Sequence, residues 1–233
     1  MDEEIKFGDD EAKENKKTKN EKKIYELKII VVGDHYVGKT TLLYRYINNK
    51  FNEYMTSIAV DFFKCNIELD DKILKLILMD TAGTEQFRSL TKGYYSNACC
   101  ALIVYDITDE NSFNSVNQWI KDCNNFAQKG THLVLVGNKI DLENQRKIST
   151  EDGKNLAIEY NMDFYESSAK TGENISNIFE GICKIMNKKI DGGIDSLHGV
   201  NESNIQENII INKNLSNNKK KMLLINKKNA LYL

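Results

Sequence analysis

Apolar and amphipathic stretches alternate along the chain between about Ile24 and Ile190. Six short apolar runs have the length and solidity of strands buried in a sheet: Leu27 to Val32, Phe62 to Leu69, Ile73 to Met79, Ala101 to Asp106, Leu133 to Val136 and Phe164 to Ser167. Between and after them the period changes. Ile175, Ile178, Phe179, Ile182, Ile185 and Met186 recur at steps of three and four, which lays them on one helix face. Phe113, Val116, Ile120, Cys123 and Ala127 form a similar stripe after an Asp109-Glu110 helix start, and Ser149 to Asp152 has the form of a capping box. Both stripes read as core packing. The second and third apolar runs are joined only by Asp70-Asp71, too short for a crossover, so they must form an antiparallel hairpin. The expected fold is α/β: a doubly wound, three-layer arrangement with a six-stranded mixed sheet and helices on both faces.

Composition sets the limits around this pattern. A chain of 233 residues with 41% hydrophobic content suits one domain, over residues 24–190, carrying two tails. Residues 1–23 mix acids and lysines, and residues 191–233 are rich in asparagine and lysine, so both are expected to be disordered. No apolar stretch approaches the roughly 18 residues of a membrane span, and the charged N-terminus has no signal-peptide core, so a cytoplasmic protein is expected. The five cysteines form no C-x-x-C pair and the three histidines are far apart, which disfavours a disulfide scaffold or zinc site. No nucleic-acid partner is expected, and the chain is expected to be a monomer. In the tail, Lys219-Lys220-Lys221 followed by Met222 to Ile225 offers weak contact with an anionic membrane, each lysine contributing on the order of 1 kcal/mol; a solvated tail is the equal alternative.

The chemistry concentrates at the ends of the apolar runs. Gly33-Asp34-His35-Tyr36-Val37-Gly38-Lys39-Thr40 follows the first run and opens a helix-like segment, the arrangement of a phosphate-binding loop. Its backbone N–H groups can converge on a β-phosphate, Lys39 can reach the β- and γ-phosphates, and the Thr40 hydroxyl can ligate magnesium. Asp80-Thr81-Ala82-Gly83 follows the third run; its acid can hold the metal through water and the Gly83 N–H can meet the γ-phosphate. Asn138-Lys139-Ile140-Asp141 follows the fifth, where Asp141 can accept from the ring N–H and exocyclic amine of guanine, two donors adenine lacks on that edge. Ser168-Ala169-Lys170, after the last run, can offer a backbone N–H to the guanine carbonyl.

Four motifs in this order resemble the small GTPase superfamily of P-loop NTPases, over essentially all of residues 24–190. Within it the chain resembles the Rabs, through Ile58 to Phe62, Gln86 to Thr91, Tyr94 to Ala98 and Ile103 to Thr108. The resemblance implies a GTP/GDP switch in vesicle trafficking, using Mg2+, with an exchange factor, an activating protein and effectors as partners, peripheral on endomembranes. It implies a nucleotide site of Gly33, His35, Tyr36, Val37, Gly38, Lys39, Thr40, Thr41, Phe51, Ser57, Asp80, Gly83, Asn138, Lys139, Asp141, Ser168, Ala169 and Lys170. Phe51 would pack on the guanine ring, and Thr40, Ser57 and Asp80 would form the metal shell.

Departures from the family fall on hydrolysis and membrane attachment. The glutamine that orients the attacking water is replaced by Thr84, whose short side chain cannot reach both water and γ-phosphate. His35 and Tyr36 stand where relatives place small residues and are expected to crowd the γ-phosphate. Slow hydrolysis is therefore expected, with Lys39 and Thr84 at the catalytic positions; the alternative is a hydrolysis-deficient, GTP-bound scaffold that recruits effectors. His35 is read as a solvent-facing residue in preference to a general acid or base. The first switch segment, between Phe51 and Ile58, is a residue shorter than the family pattern, and Met79 stands where Rabs carry tryptophan. No cysteine follows Cys183, so C-terminal prenylation is not expected from this sequence.

Overall fold

The computed structural model describes residues 22–52, 61–69, 71–81, 92–193 and 200–203. Strands β1 (Lys23–Val32), β2 (Asp61–Glu68), β3 (Lys72–Asp80), β4 (Cys100–Asp106), β5 (His132–Asn138) and β6 (Asp163–Ser167) lie in the order β2-β3-β1-β4-β5-β6. All neighbours are parallel except β2, which pairs antiparallel to β3. Each strand coincides with one of the six apolar runs, lengthened by one to four residues at its ends or shifted by one.

The strands read as solid apolar runs because both faces of the sheet are covered. Alternate residues go to opposite sides. Leu27, Ile29, Val31, Leu74, Leu76, Leu78, Leu102 and Val104 pack into one core with Ile178, Phe179 and Ile182. Ile30, Val32, Ile103, Tyr105 and Leu135 pack into the other with Val116, Trp119 and Ile120. The helices are α1 (Lys39–Asn48), α2 (Lys92–Tyr95), α3 (Glu110–Asn114), α4 (Val116–Phe126), α5 (Thr150–Glu159) and α6 (Ile175–Asp191). Helices α1 and α6 cover the first face, where Tyr46 and Phe179 stack with ring centroids 3.8 Å apart. Asp109 caps α3 by accepting from the Asn111 N–H, and the Ser149/Asp152 capping box of α5 is complete in both directions. The apolar stripe from Phe113 to Ala127, read as one helix, is divided at Ser115 into α3 and α4.

Strand β1 begins at Lys23 and α6 ends at Asp191, each one residue outside the expected domain limits, and Lys72 pairs with Asp191 at the end of α6. Within the segment 191–233 expected to be disordered, Val200–Ser203 forms a strand, β7, antiparallel to Ile24–Leu27 of β1. The reason lies in β1: β4 pairs with it only from Ile29 onward, so its first half has an edge whose backbone groups β7 satisfies. All five cysteines are free thiols. Burial pushes Cys65, Cys99, Cys123 and Cys183 up to about 12, far from thiolate reactivity. Among the described residues no helix is long and apolar enough to cross a membrane.

Candidate functional site

The C-terminal ends of β1, β3, β4, β5 and β6 share one edge of the sheet, and the described residues of the four nucleotide motifs follow them: Gly33 to Thr40 after β1, Asp80 and Thr81 at the end of β3, Asn138 to Asp141 at the end of β5 and Ser168 to Lys170 after β6. Consecutive strands depart to opposite sides at the β1/β4 junction, the place where α/β sheets open a crevice. The loop Gly33–Gly38 emerges from β1 at that junction. Gly33 has φ of +143°, and a Cβ there would stand 2.2 Å from the Val104 carbonyl oxygen of β4. Gly38 has φ of +95°, and its Cβ would stand 2.5 Å from Asn138 Nδ2. A side chain is therefore excluded at both glycines, so the loop's bare backbone can wrap a small anion.

Lys39 opens α1 and turns back over this loop. Its Nζ donates to the carbonyls of Gly33 at 2.8 Å and Asp34 at 2.7 Å. Burial lowers its pKa to about 8, against the raising influence of the Asp80 and Asp34 carboxylates. The lysine is thus a cation whose charge burial weakens and a polyphosphate would stabilise. Thr40, the next residue, donates through Oγ1 to Asp80 Oδ2 at 2.6 Å; both residues are buried. Two hard oxygen donors from separate elements meet next to an anion cradle, a set that suits Mg2+ completed by phosphate oxygens and water. The loop, the ammonium and this oxygen pair fit a magnesium–nucleotide together.

On the other side of the crevice, Asn138 is 1% exposed and ties three elements. Its Nδ2 donates to the Val37 carbonyl at 2.9 Å, and its Oδ1 accepts from the Ala169 N–H at 3.3 Å and from Ser167 Oγ at 3.4 Å. Asp141 Oδ1 accepts from Ser168 Oγ at 2.6 Å, which fixes the orientation of the carboxylate. Lys139, at φ of +71°, pairs through Nζ with Asp106 Oδ2 at 2.6 Å, at the end of the neighbouring strand β4. Phe51 is 39% exposed, available for a planar ligand. His35 and Tyr36 are both exposed, Tyr36 by 81%, with ring centroids 5.9 Å apart. Thr41 follows Thr40 on α1. Ser57, Gly83 and Thr84 lie outside the described residues.

Three contributors escaped the sequence reading. Asp106, at the end of β4, organises its own turn by accepting from the Thr108 N–H and Oγ1 and holds Lys139. Arg45 on α1 donates through Nε to the Ala169 carbonyl at 2.7 Å and through Nη2 to the Lys170 carbonyl, clamping the Ser168 to Lys170 loop, the candidate base-side loop. Trp119 on α4 donates to Asp34 in the phosphate loop. A cation inside an otherwise apolar helix stretch was the one available hint for Arg45.

Comparison with known proteins matches the sequence to a family. The model of the Ras family matches residues 28–188. Ras-related protein SEC4 of Saccharomyces cerevisiae is 40% identical over 195 residues, covering 83% of this chain and 89% of that protein. Ras-related protein Rab-2B of Dictyostelium discoideum is 44% identical over 166 residues, covering 70% and 82%. Ras-related protein Rab-8A of Rattus norvegicus is 39% identical over 183 residues, covering 76% and 88%.

Proposed function

Since this chain belongs to the Ras family, as a Rab-like small GTPase of vesicle trafficking, we propose that it cycles between GTP and GDP with Mg2+ and hydrolyses GTP slowly. One observation carries the site assignment. Asn138 donates to the Val37 carbonyl and accepts from the Ala169 N–H, a link that supports reading the two loops as parts of one guanosine nucleotide site.

In this reading Lys39 meets the β- and γ-phosphates, while Gly33 to Gly38 supply backbone N–H groups. Mg2+, when bound, neutralises charge on the phosphates. Thr40, Ser57 and Asp80 would hold it. Asp141 reads the guanine edge, Ala169 and its neighbours receive the guanine carbonyl, Lys139 and Phe51 flank the ring, and Gly83 senses the terminal phosphate. A base without the two donors leaves the Asp141 carboxylate without those partners and is bound less tightly. Exchange factor, activating protein and effectors are the partners this switch requires.

Thr84 at the water-positioning place is the reason for slow turnover, since an activating arginine and a water-orienting amide both act on the same transition state. The hydrolysis-deficient scaffold is not favoured for a family of GTPases. Competition of GTP, GDP and ATP for the purified protein by calorimetry tests the base reading; ATP displacing GTP would overturn it. Single-turnover hydrolysis tests the enzyme. Thr84→Gln is expected to raise the rate by about tenfold or more, because it restores an amide that orients the attacking water.

A further inference from the structure

The chain has a single tryptophan, Trp119 on α4, and no part of the switch described above requires it. It is 5% exposed, and its indole Nε1–H donates to Asp34 Oδ1 at 2.7 Å. Asp34 is the second residue of the phosphate loop, and its main-chain carbonyl is one of the two that accept from Lys39 Nζ, at 2.7 Å. A single residue is thus gripped from two sides: its side chain by a helix of the second core, its peptide by the cation that meets the phosphates.

The rest of the loop shows why that grip matters. Gly33 is wedged against β4, and the Val37 carbonyl is held by Asn138. Between these points His35 and Tyr36 face solvent, Tyr36 in a left-handed conformation at φ of +61°. Side-chain anchorage of the intervening stretch comes from Asp34. A charge-assisted hydrogen bond of this length is among the stronger ones a half-buried side chain makes.

We propose that Trp119 is a positioning residue for nucleotide retention: by holding the Asp34 carboxylate it fixes the peptide that steers Lys39, and so slows release of bound GDP. The proposal rests on the GTPase reading above. Its rival is a Trp119 that merely fills the second core beside Val116 and Ile120.

The two separate in a double-mutant cycle on release of N-methylanthraniloyl-GDP, chased with GDP in the presence of Mg2+. Trp119→Phe keeps most of the packing and removes the donor, and is expected to speed release about tenfold, the equivalent of about 1.4 kcal/mol. In an Asp34→Ala background the same substitution is expected to change release by less than about twofold, because the acceptor is already gone. The cycle cancels the effect of the lost carboxylate charge, which is present in both Asp34→Ala proteins. An equal acceleration in both backgrounds, or none in either, overturns the proposal. Asp34→Asn and Asp34→Ala give a comparison that needs no tryptophan variant: both lose the charge, and only asparagine keeps an acceptor oxygen. Asp34→Ala should release several-fold faster, and equal rates overturn the proposal. If the unsubstituted protein fails to bind the probe, the GTPase reading falls and takes this inference with it.

Discussion

Lys39 carries a pH dependence whose sign follows from its surroundings. Its pKa in the folded protein is lowered to about 8 from an ordinary 10.5, chiefly by burial. Between those values the unfolded chain binds the proton that the folded protein has lost, so this residue makes the nucleotide-free protein gain stability as pH rises from about 8 toward 10.5. Nucleotide binding runs the other way. Phosphate oxygens favour the ammonium, so affinity for GDP should fall as pH rises through about 8, and binding there should take up a proton. Calorimetry in buffers of different ionisation enthalpy reads that uptake; Lys39→Met should abolish it along with most of the affinity. At Gly38 the expectation is steric. Its φ of +95° and the 2.5 Å approach to Asn138 Nδ2 mean that Gly38→Ala must displace the asparagine that joins the two halves of the site. Left-handed backbone alone costs a Cβ-bearing residue roughly 1–2 kcal/mol. A loss of GDP affinity well beyond tenfold is expected by equilibrium titration, and an affinity unchanged from the parent would show that the loop relaxes freely.

At the scale of elements, what was legible in the sequence depended on how far apart the partners lie. Strands β1 and β4 announced themselves because burial on both faces leaves no polar position from Ile29 to Val32 or from Cys100 to Tyr105. The capping box of α5 is a three-residue signal and was readable for the same local reason. Arg45 was not, because it acts on a carbonyl 124 residues away, and Trp119 reaches across 85. Such pairings depend on the helix-to-loop geometry that only the assembled sheet creates. Strand β7 was missed differently: Val-Asn-Glu-Ser has no apolar period, and its pairing is dictated by the open edge of β1. The Arg45 clamp has a measurable consequence. Arg45→Ala frees the Ala169 and Lys170 carbonyls, while the equivalent loss at Asn138 frees the Val37 carbonyl inside the protein. An unpaired buried acceptor costs about 1–3 kcal/mol, so Asn138→Ala should be the more damaging to both melting temperature and GDP retention. A larger loss of melting temperature for Arg45→Ala would show that the base-side loop depends more on α1 than on β5.

For the whole molecule, the proposed nucleotide site is where separate parts of the fold meet. Lys39 and Thr40 come from α1, Asp80 from β3, Asn138 from β5 and Ala169 from the loop after β6, and each binds a residue of another element. The same convergence buries an ammonium, two carboxylates and an amide at one sheet edge, an arrangement in which like-charged and polar groups depend on each other's geometry. A ligand that satisfies all of them binds the folded state and not the unfolded chain. Saturation at 1,000 times the dissociation constant then adds about 4.1 kcal/mol of stability. For a domain of this size that corresponds to roughly 8–16 °C in melting temperature. Stripping the nucleotide with EDTA and phosphatase should lower the melting temperature by about that much, and GDP with Mg2+ should restore it whereas ADP with Mg2+ should not. Restoration by both would mean that the phosphate loop and Lys39 carry the coupling alone and that Asp141 does not select the base. Restoration by neither would mean that the convergence of these strands is a structural junction without a ligand.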